Sequence, residues 1–97
     1  MTGQGSVRRL QAVVSGRVQG VGFREFTRRE ASARHVTGWV RNGDDGRSVE
    51  LVAEGTEDAV IAFLAALRSG PRFGRVDDVS EVWSDATGAF TRFSIET

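Results

Sequence analysis

The stretch Gly16-Arg17-Val18-Gln19-Gly20-Val21-Gly22-Phe23-Arg24 places three glycines in seven residues, between an alternating apolar run and a helix-like run. Glycine costs backbone entropy on folding, so three together point to a geometric need. One such need is a loop whose N–H groups all turn toward one point, a concave nest for an anion. The first N–H groups of the helix that follows lack intrahelical partners and attract negative charge. Arg24 falls in that first turn, where a cation is electrostatically disfavoured, and a bound anion would remove the conflict. From the glycines alone two readings stand side by side. One is a phosphate or carboxylate cradle with Arg24 as its fixed charge. The other is a tight strand-to-helix turn with an incidental arginine. The spacing matches neither the dinucleotide fingerprint nor the Walker loop.

Working outward, Leu10, Ala12 and Val14 alternate with Gln11, Val13 and Ser15, which predicts a strand over 9–15 covered mainly on one face. From Arg24 to Arg34 there is no Gly or Pro, and Arg, Glu and Ala favour a helix. Phe23, Phe26 and Ala31 form its apolar stripe, filled out by Thr27 and the stem of Arg34. A second strand is predicted over 36–42. Asn42-Gly43-Asp44-Asp45-Gly46 is dense in hairpin-turn residues, and Val49, Leu51 and Ala53 alternate with Glu50, Val52 and Glu54 in a third strand.

The second helix has every punctuation mark. Thr56 is placed to cap its start, with Glu57 and Asp58 in the first turn. Val60, Phe63, Leu64 and Leu67 follow at helical spacing. Arg68 lies in the last turn, before Gly70 and Pro71. Arg72 to Arg75 reads as a loop, Val79 to Ser84 as a fourth strand, Asp85 to Gly88 as a turn, and Phe93 and Ile95 as a short terminal strand.

The predicted order β-α-β-β-α-β is the split βαβ, or ferredoxin-like, plan. The fold class is α+β, a mixed, largely antiparallel sheet with two helices on one face and a short terminal strand. Residues 1–7 are expected to form a flexible N-terminus and 8–97 a single domain.

The chain has 97 residues, zero formal net charge, thirteen basic residues that are all arginine, and no cysteine. Zero net charge weighs against nucleic-acid binding, which runs on excess basic residues. Absent cysteine removes disulfides, thiolate nucleophiles and sulfur-ligated metals. Absent lysine removes Schiff-base chemistry. No apolar run is long enough to span a bilayer, and residues 1–7 lack the apolar core of a signal peptide. The expectation is a cytoplasmic monomer that binds neither nucleic acid nor membrane.

A βαβ unit brings its two strands into one sheet running the same way. The glycine loop ends the first strand and Asn42 ends the second, so the cradle and this amide are expected to share a rim. Ligands in open sheets with helical crossovers bind beyond the strands' carboxyl ends. Asn before Gly is also a common hairpin turn, so taken alone Asn42 reads as a turn residue. Arg41 alternates to the other side and reads as a solvated or sheet-bridging arginine. Trp39 and Trp83 read as sheet-packing aromatics, and the doublets Arg8-Arg9 and Arg28-Arg29 as solvated faces. His35 stands where a helix should end, and histidine tolerates the left-handed conformation there. Asp44-Asp45 and Asp77-Asp78 lack metal-loop spacing and read as turn chemistry.

The run Gly16-x-Val18-Gln19-Gly20-Val21-Gly22-Phe23-Arg24-x-Phe26, followed by Gly38-Trp39-Val40-Arg41-Asn42 and Asp45-Gly46, resembles the acylphosphatase family. The likeness extends to Phe93 and Ile95 and covers nearly the whole chain. It implies the ferredoxin-like fold and hydrolysis of acyl phosphates, carboxyl-phosphate anhydrides, to carboxylate and orthophosphate, with no metal and no cofactor. It implies that Gln19, Gly20, Val21, Gly22, Phe23 and Arg24 hold the phosphate, that Asn42 holds the attacking water, and that a phosphate oxygen of the substrate takes the water's proton. Orthophosphate or sulfate would be a ligand of the same site. The chain departs from the family pattern in three places. One extra residue stands between Asp45-Gly46 and the third strand, where a β-bulge is expected to absorb it. Arg34 stands where a buried Leu is frequent, and His35 where the helix usually ends in Gly.

The residue inventory agrees with such chemistry. An anion cradle, a guanidinium and a carboxamide can bind a phosphoryl group, neutralise it and orient a water, which is most of what phosphoryl transfer requires. With no evident general acid, the leaving group must depart unprotonated, as a carboxylate with a pKa near ~4 does. Two rivals are a non-catalytic ferredoxin-like module binding a small anion or a partner protein, and the domain that opens a larger carbamoyl-transferring maturation enzyme. The single-domain length speaks against the second.

Overall fold

The computed structural model describes residues 6–97. Seven elements follow one another: β1 (Val7–Arg17), α1 (Phe23–Ala33), β2 (Thr37–Asn42), β3 (Ser48–Thr56), α2 (Glu57–Ser69), β4 (Arg75–Asp85) and β5 (Phe93–Ile95). They build a five-stranded sheet in the order β4-β1-β3-β2-β5. Both β1 and β2 pair antiparallel with β3, so they run parallel to each other with β3 between them. β4 lies antiparallel on β1, and β5 lies parallel on β2. This is the α+β ferredoxin-like βαββαβ plan, and it puts the carboxyl ends of β1 and β2 on one edge of the sheet.

Alternation decides which sheet face is covered. Leu10, Ala12 and Val14 of β1 stand opposite Ala53, Leu51 and Val49 of β3, and Val40 of β2 stands opposite Leu51. All seven are buried. Phe23, Thr27 and Ala31 of α1 and Val60, Phe63, Leu64 and Leu67 of α2 close over them. Each large apolar side chain so covered contributes roughly 1.5–3 kcal/mol. Phe63 also meets Phe93 with ring centroids 5.8 Å apart, which fastens the short β5 to the core.

The helix ends follow the sequence signals. Thr56 Oγ1 accepts from the Ala59 N–H at 3.2 Å, and the N–H of Gly70 donates to the carbonyls of Ala66 and Leu67. At the end of α1, His35 takes the left-handed conformation at φ 58°. No helix among the described residues is long and apolar enough to cross a membrane.

Four expectations are adjusted. Residues 1–5 of the expected flexible N-terminus lie outside the described residues, and Val7 already opens β1. β4 begins at Arg75, inside the expected loop, because its ladder with β1 carries it through the polar Asp77-Asp78 pair that interrupts the apolar alternation. The extra residue near Ser48 makes no bulge in β3, whose register with β1 and β2 is unbroken; the register shift lies between β1 and β4 at Ser15/Gly16. The hairpin turn absorbs the residue because Asp45 Oδ1 accepts from the N–H groups of Arg47 and Ser48 and from the Ser48 hydroxyl, each at 2.9 Å.

Arg9, lastly, is not a solvated arginine. It donates to the buried Glu54 at 3.0 Å, and Glu54 also accepts from both donors of Thr87 and from the Gly88 N–H. Burial pushes the Glu54 carboxyl up, but these hydrogen bonds outweigh it and hold the group below the usual glutamate range.

Candidate active site

β1 ends at Arg17 and the chain turns toward α1. Gly20 (φ 74°) and Gly22 (φ 76°) adopt the left-handed conformation, whereas Gln19 and Val21 do not. Such alternation turns successive N–H groups to one side and makes a nest for an anion. Among the described residues, no backbone N–H from Gly20 to Arg24 donates to the protein, and the first bond of α1 runs from Phe26 N to Gly22 O at 3.0 Å. Gly22 is the N-cap and brings no side chain to satisfy that helix end. The loop therefore gathers unpaired donors and the positive end of a helix dipole at one place.

Arg24 sits in the first turn, half-buried. Arg28 pairs with Glu25, Arg34 with Glu30, Arg41 with Glu50, Arg68 with Glu81 and Arg75 with Asp77, whereas Arg17, Arg72 and Arg92 pair with no carboxylate among the described residues but are exposed. Arg24 forms no ion pair among the described residues. Its neighbour Glu25 is engaged by Arg28 through both oxygens, at 2.8 and 2.6 Å, and this bond holds the Glu25 carboxyl below its ordinary range. An unpaired, half-covered guanidinium at a helix N-terminus is suited to bind an anion.

Asn42 is the last residue of β2. Its Oδ1 is buried and accepts no hydrogen bond among the described residues. A buried acceptor left in this state costs about 1–3 kcal/mol, an expense explained if the atom's donor arrives with a ligand or a water. Asn42 lines one recess of about 210 Å³ with Gly20, Gly22, Phe23 and Arg24, the rim expected from the parallel course of β1 and β2.

Two of the expected loop residues do not line that recess. Val21 packs partly buried against the core. The Gln19 side chain points to the β2–β3 hairpin, where Nε2 donates to the carbonyls of Gly43 at 3.0 Å and Ser48 at 2.8 Å. Val18, Glu25 and Ile95 line the recess without having been named as site residues from the sequence. For Ile95 the only available signal was its place beside Val40, which needs the parallel β2–β5 pairing to be known.

The remaining candidates fall elsewhere. Arg41 bridges to Glu50 and lies 4.8 Å over the Trp39 ring on the open sheet face. His35 faces a separate recess with Ser32, Arg92 and Phe93. Arg17, Arg47 and Arg75 border a second groove, which Gln19 also lines, with Asp77 near two of them. Asp45 serves the hairpin turn, and the Arg47 N–H followed by the Ser48 hydroxyl holds its carboxyl below the usual aspartate range.

Comparison with known proteins covers nearly the whole chain. The model of the acylphosphatase family matches residues 10–95. An acylphosphatase of Salinibacter ruber is 53% identical over 91 residues, covering 94% of this chain and 95% of its own. The crystal structure of an acylphosphatase from Bacillus subtilis superposes with a TM-score of 0.88 at 46% identity, covering 93% of this chain and 99% of its own. The chain also resembles 12% of the length of full-length HypF, solved in a phosphate- and nucleotide-bound form, with a TM-score of 0.84 at 26% identity.

Proposed function

The chain belongs to the acylphosphatase family and hydrolyses acyl phosphates to carboxylate and orthophosphate, and we propose that its own residues divide that work as follows. The backbone from Gly20 to Arg24 and the Arg24 guanidinium hold the phosphoryl oxygens. Asn42 holds the attacking water. The water oxygen forms a bond to phosphorus as the bond from phosphorus to the acyl oxygen breaks, and the carboxylate leaves with that electron pair. The water's proton passes to a phosphoryl oxygen, so no side chain need act as base.

The observation that supports this reading best is one recess combining unpaired cradle donors, an arginine without a carboxylate, and a buried carboxamide oxygen without a donor. Charge is spread over the phosphoryl oxygens in the transition state, and donors fixed in advance stabilise it without reorganising. Arg24 contacts these oxygens in the bound substrate and more strongly in the transition state.

The test is steady-state phosphate release from benzoyl phosphate with orthophosphate as competitor. Wild-type protein should be inhibited competitively. Arg24→Ala should raise KM, lower kcat and lose the inhibition. Inhibition equally strong in Arg24→Ala would put the anion elsewhere.

A further inference from the structure

Gln19 stands inside the glycine loop, yet its side chain is spent on the hairpin that follows Asn42. Nε2 donates to the carbonyl oxygens of Gly43 and Ser48, at 3.0 and 2.8 Å. Gly43 is the residue after Asn42, and Ser48 opens β3. The Ser48 carbonyl also accepts from the Gly43 N–H at 2.9 Å, so one amide group closes both ends of the turn.

Two further ties fix the same turn. Asp45 Oδ1 accepts three bonds from Arg47 and Ser48. The Gly16 N–H, at the start of the loop, donates to the Arg47 carbonyl at 3.0 Å. Among the described residues, Asn42 receives no hydrogen bond at its Oδ1. Its position relative to the cradle is therefore set by its backbone, and the backbone is set by these ties.

We propose that Gln19 is a positioning residue of the reaction. It spans from the phosphate cradle to the Asn42 hairpin and fixes the separation between the phosphoryl group and the water that attacks it, with Asp45 completing the brace from the hairpin side. The inference rests on Asn42 being the water-holding residue. Gln19 has no donor left on Nε2 for a phosphate once both carbonyls are engaged, because a carboxamide carries two N–H bonds. Its contribution runs through Asn42. Attack on phosphorus demands near-linear alignment, and a misplacement of about 1 Å can cost ~100-fold in rate.

The decisive experiment is a double-mutant cycle between Gln19→Met, which keeps side-chain length and removes both donors, and Asn42→Ala. Circular dichroism confirms the folded population. Gln19→Met alone should lower kcat about 10- to 100-fold, with the inhibition constant of orthophosphate moved less than about twofold. In the Asn42→Ala background the same substitution should change kcat little, because the group it positions is gone.

Asp45 supplies an independent arm should Gln19→Met fold poorly. Asp45→Ala should lower kcat without weakening orthophosphate, and Asp45→Asn, which keeps an acceptor oxygen, should restore most of it. Undiminished loss on adding Gln19→Met to Asn42→Ala, or weakening of orthophosphate in step with kcat, would overturn the brace. If Asn42→Ala itself keeps wild-type kcat, the reading beneath the brace has failed instead.

Discussion

Replacing Glu54 by Gln should cost this small domain a large part of its stability while leaving its chemistry alone. Glu54 is 3% exposed and accepts from Arg9 Nη1, Thr87 N and Thr87 Oγ1 on one oxygen and from Gly88 N on the other. A hydrogen bond to an ionised group contributes about 1.5–3 kcal/mol and a neutral one about 0.5–1.5. An amide in the same place keeps one acceptor and turns its NH₂ toward a donor. One bond is then lost outright, the others weaken, and Arg9 loses its counter-charge. Roughly 2–4 kcal/mol should disappear, against a total of about 5–15 kcal/mol for an ordinary domain. At about 4–8 °C per kcal/mol for a chain of this size, Tm should fall by ~8–32 °C.

The pH dependence has a definite sign. The folded-state carboxyl lies below its ordinary range, so its contribution is complete above the unfolded glutamate value near ~4.3 and is lost as pH falls through the folded value. Thermal melts followed by circular dichroism at neutral pH, then stepped down to about pH 3, should show a steeper acid decline in wild type than in Glu54→Gln. Equal Tm at neutral pH together with identical acid limbs would refute the proposed role. The kcat of folded Glu54→Gln should stay within about twofold of wild type, since the residue borders no part of the recess.

Gly38→Ala should abolish folding or cost more than about 4 kcal/mol, read as a lost unfolding transition, because φ is 137° and a Cβ there would stand 1.9 Å from the Val52 carbonyl oxygen inside the sheet. Orthophosphate at about a hundred times its dissociation constant should raise apparent stability by ~2.7 kcal/mol, and Arg24→Ala should remove that thermal shift; a shift that persists in the variant would contradict the assigned anion site.

Where the backbone needs a conformation or a cap that few residue types supply, the sequence was readable. Gly20 and Gly22 mark left-handed positions, His35 the left-handed helix end, and Thr56 and Gly70 the two ends of α2. The meeting of Asn42 with the glycine loop followed from strand direction alone, since a βαβ unit leaves both strand ends on one edge. What stayed hidden depends on partners far away in the chain. Glu54 reads as a solvent-facing residue of an alternating strand until Thr87 and Gly88 arrive over it. Arg9 reads as half of a solvated doublet until Glu54 is beneath it. The start of β4 is polar, and only its ladder with β1 makes it a strand. Gln19 was legible as part of the loop, but the direction of its side chain was not, because the hairpin carbonyls that attract it lie 24 and 29 residues on.

The claim on which everything functional depends is that Asn42 holds the water and Arg24 holds the phosphoryl group. Steady-state kinetics of Asn42→Ala on benzoyl phosphate, with the variant verified as folded, tests it most directly. On that reading Asn42 contacts the water and not the substrate, so KM should stay near the wild-type value while kcat falls ~10²–10³-fold, by analogy with the loss of one preorganised hydrogen-bonding group. A folded Asn42→Ala that retains wild-type kcat would make Asn42 a turn residue and contradict the mechanism.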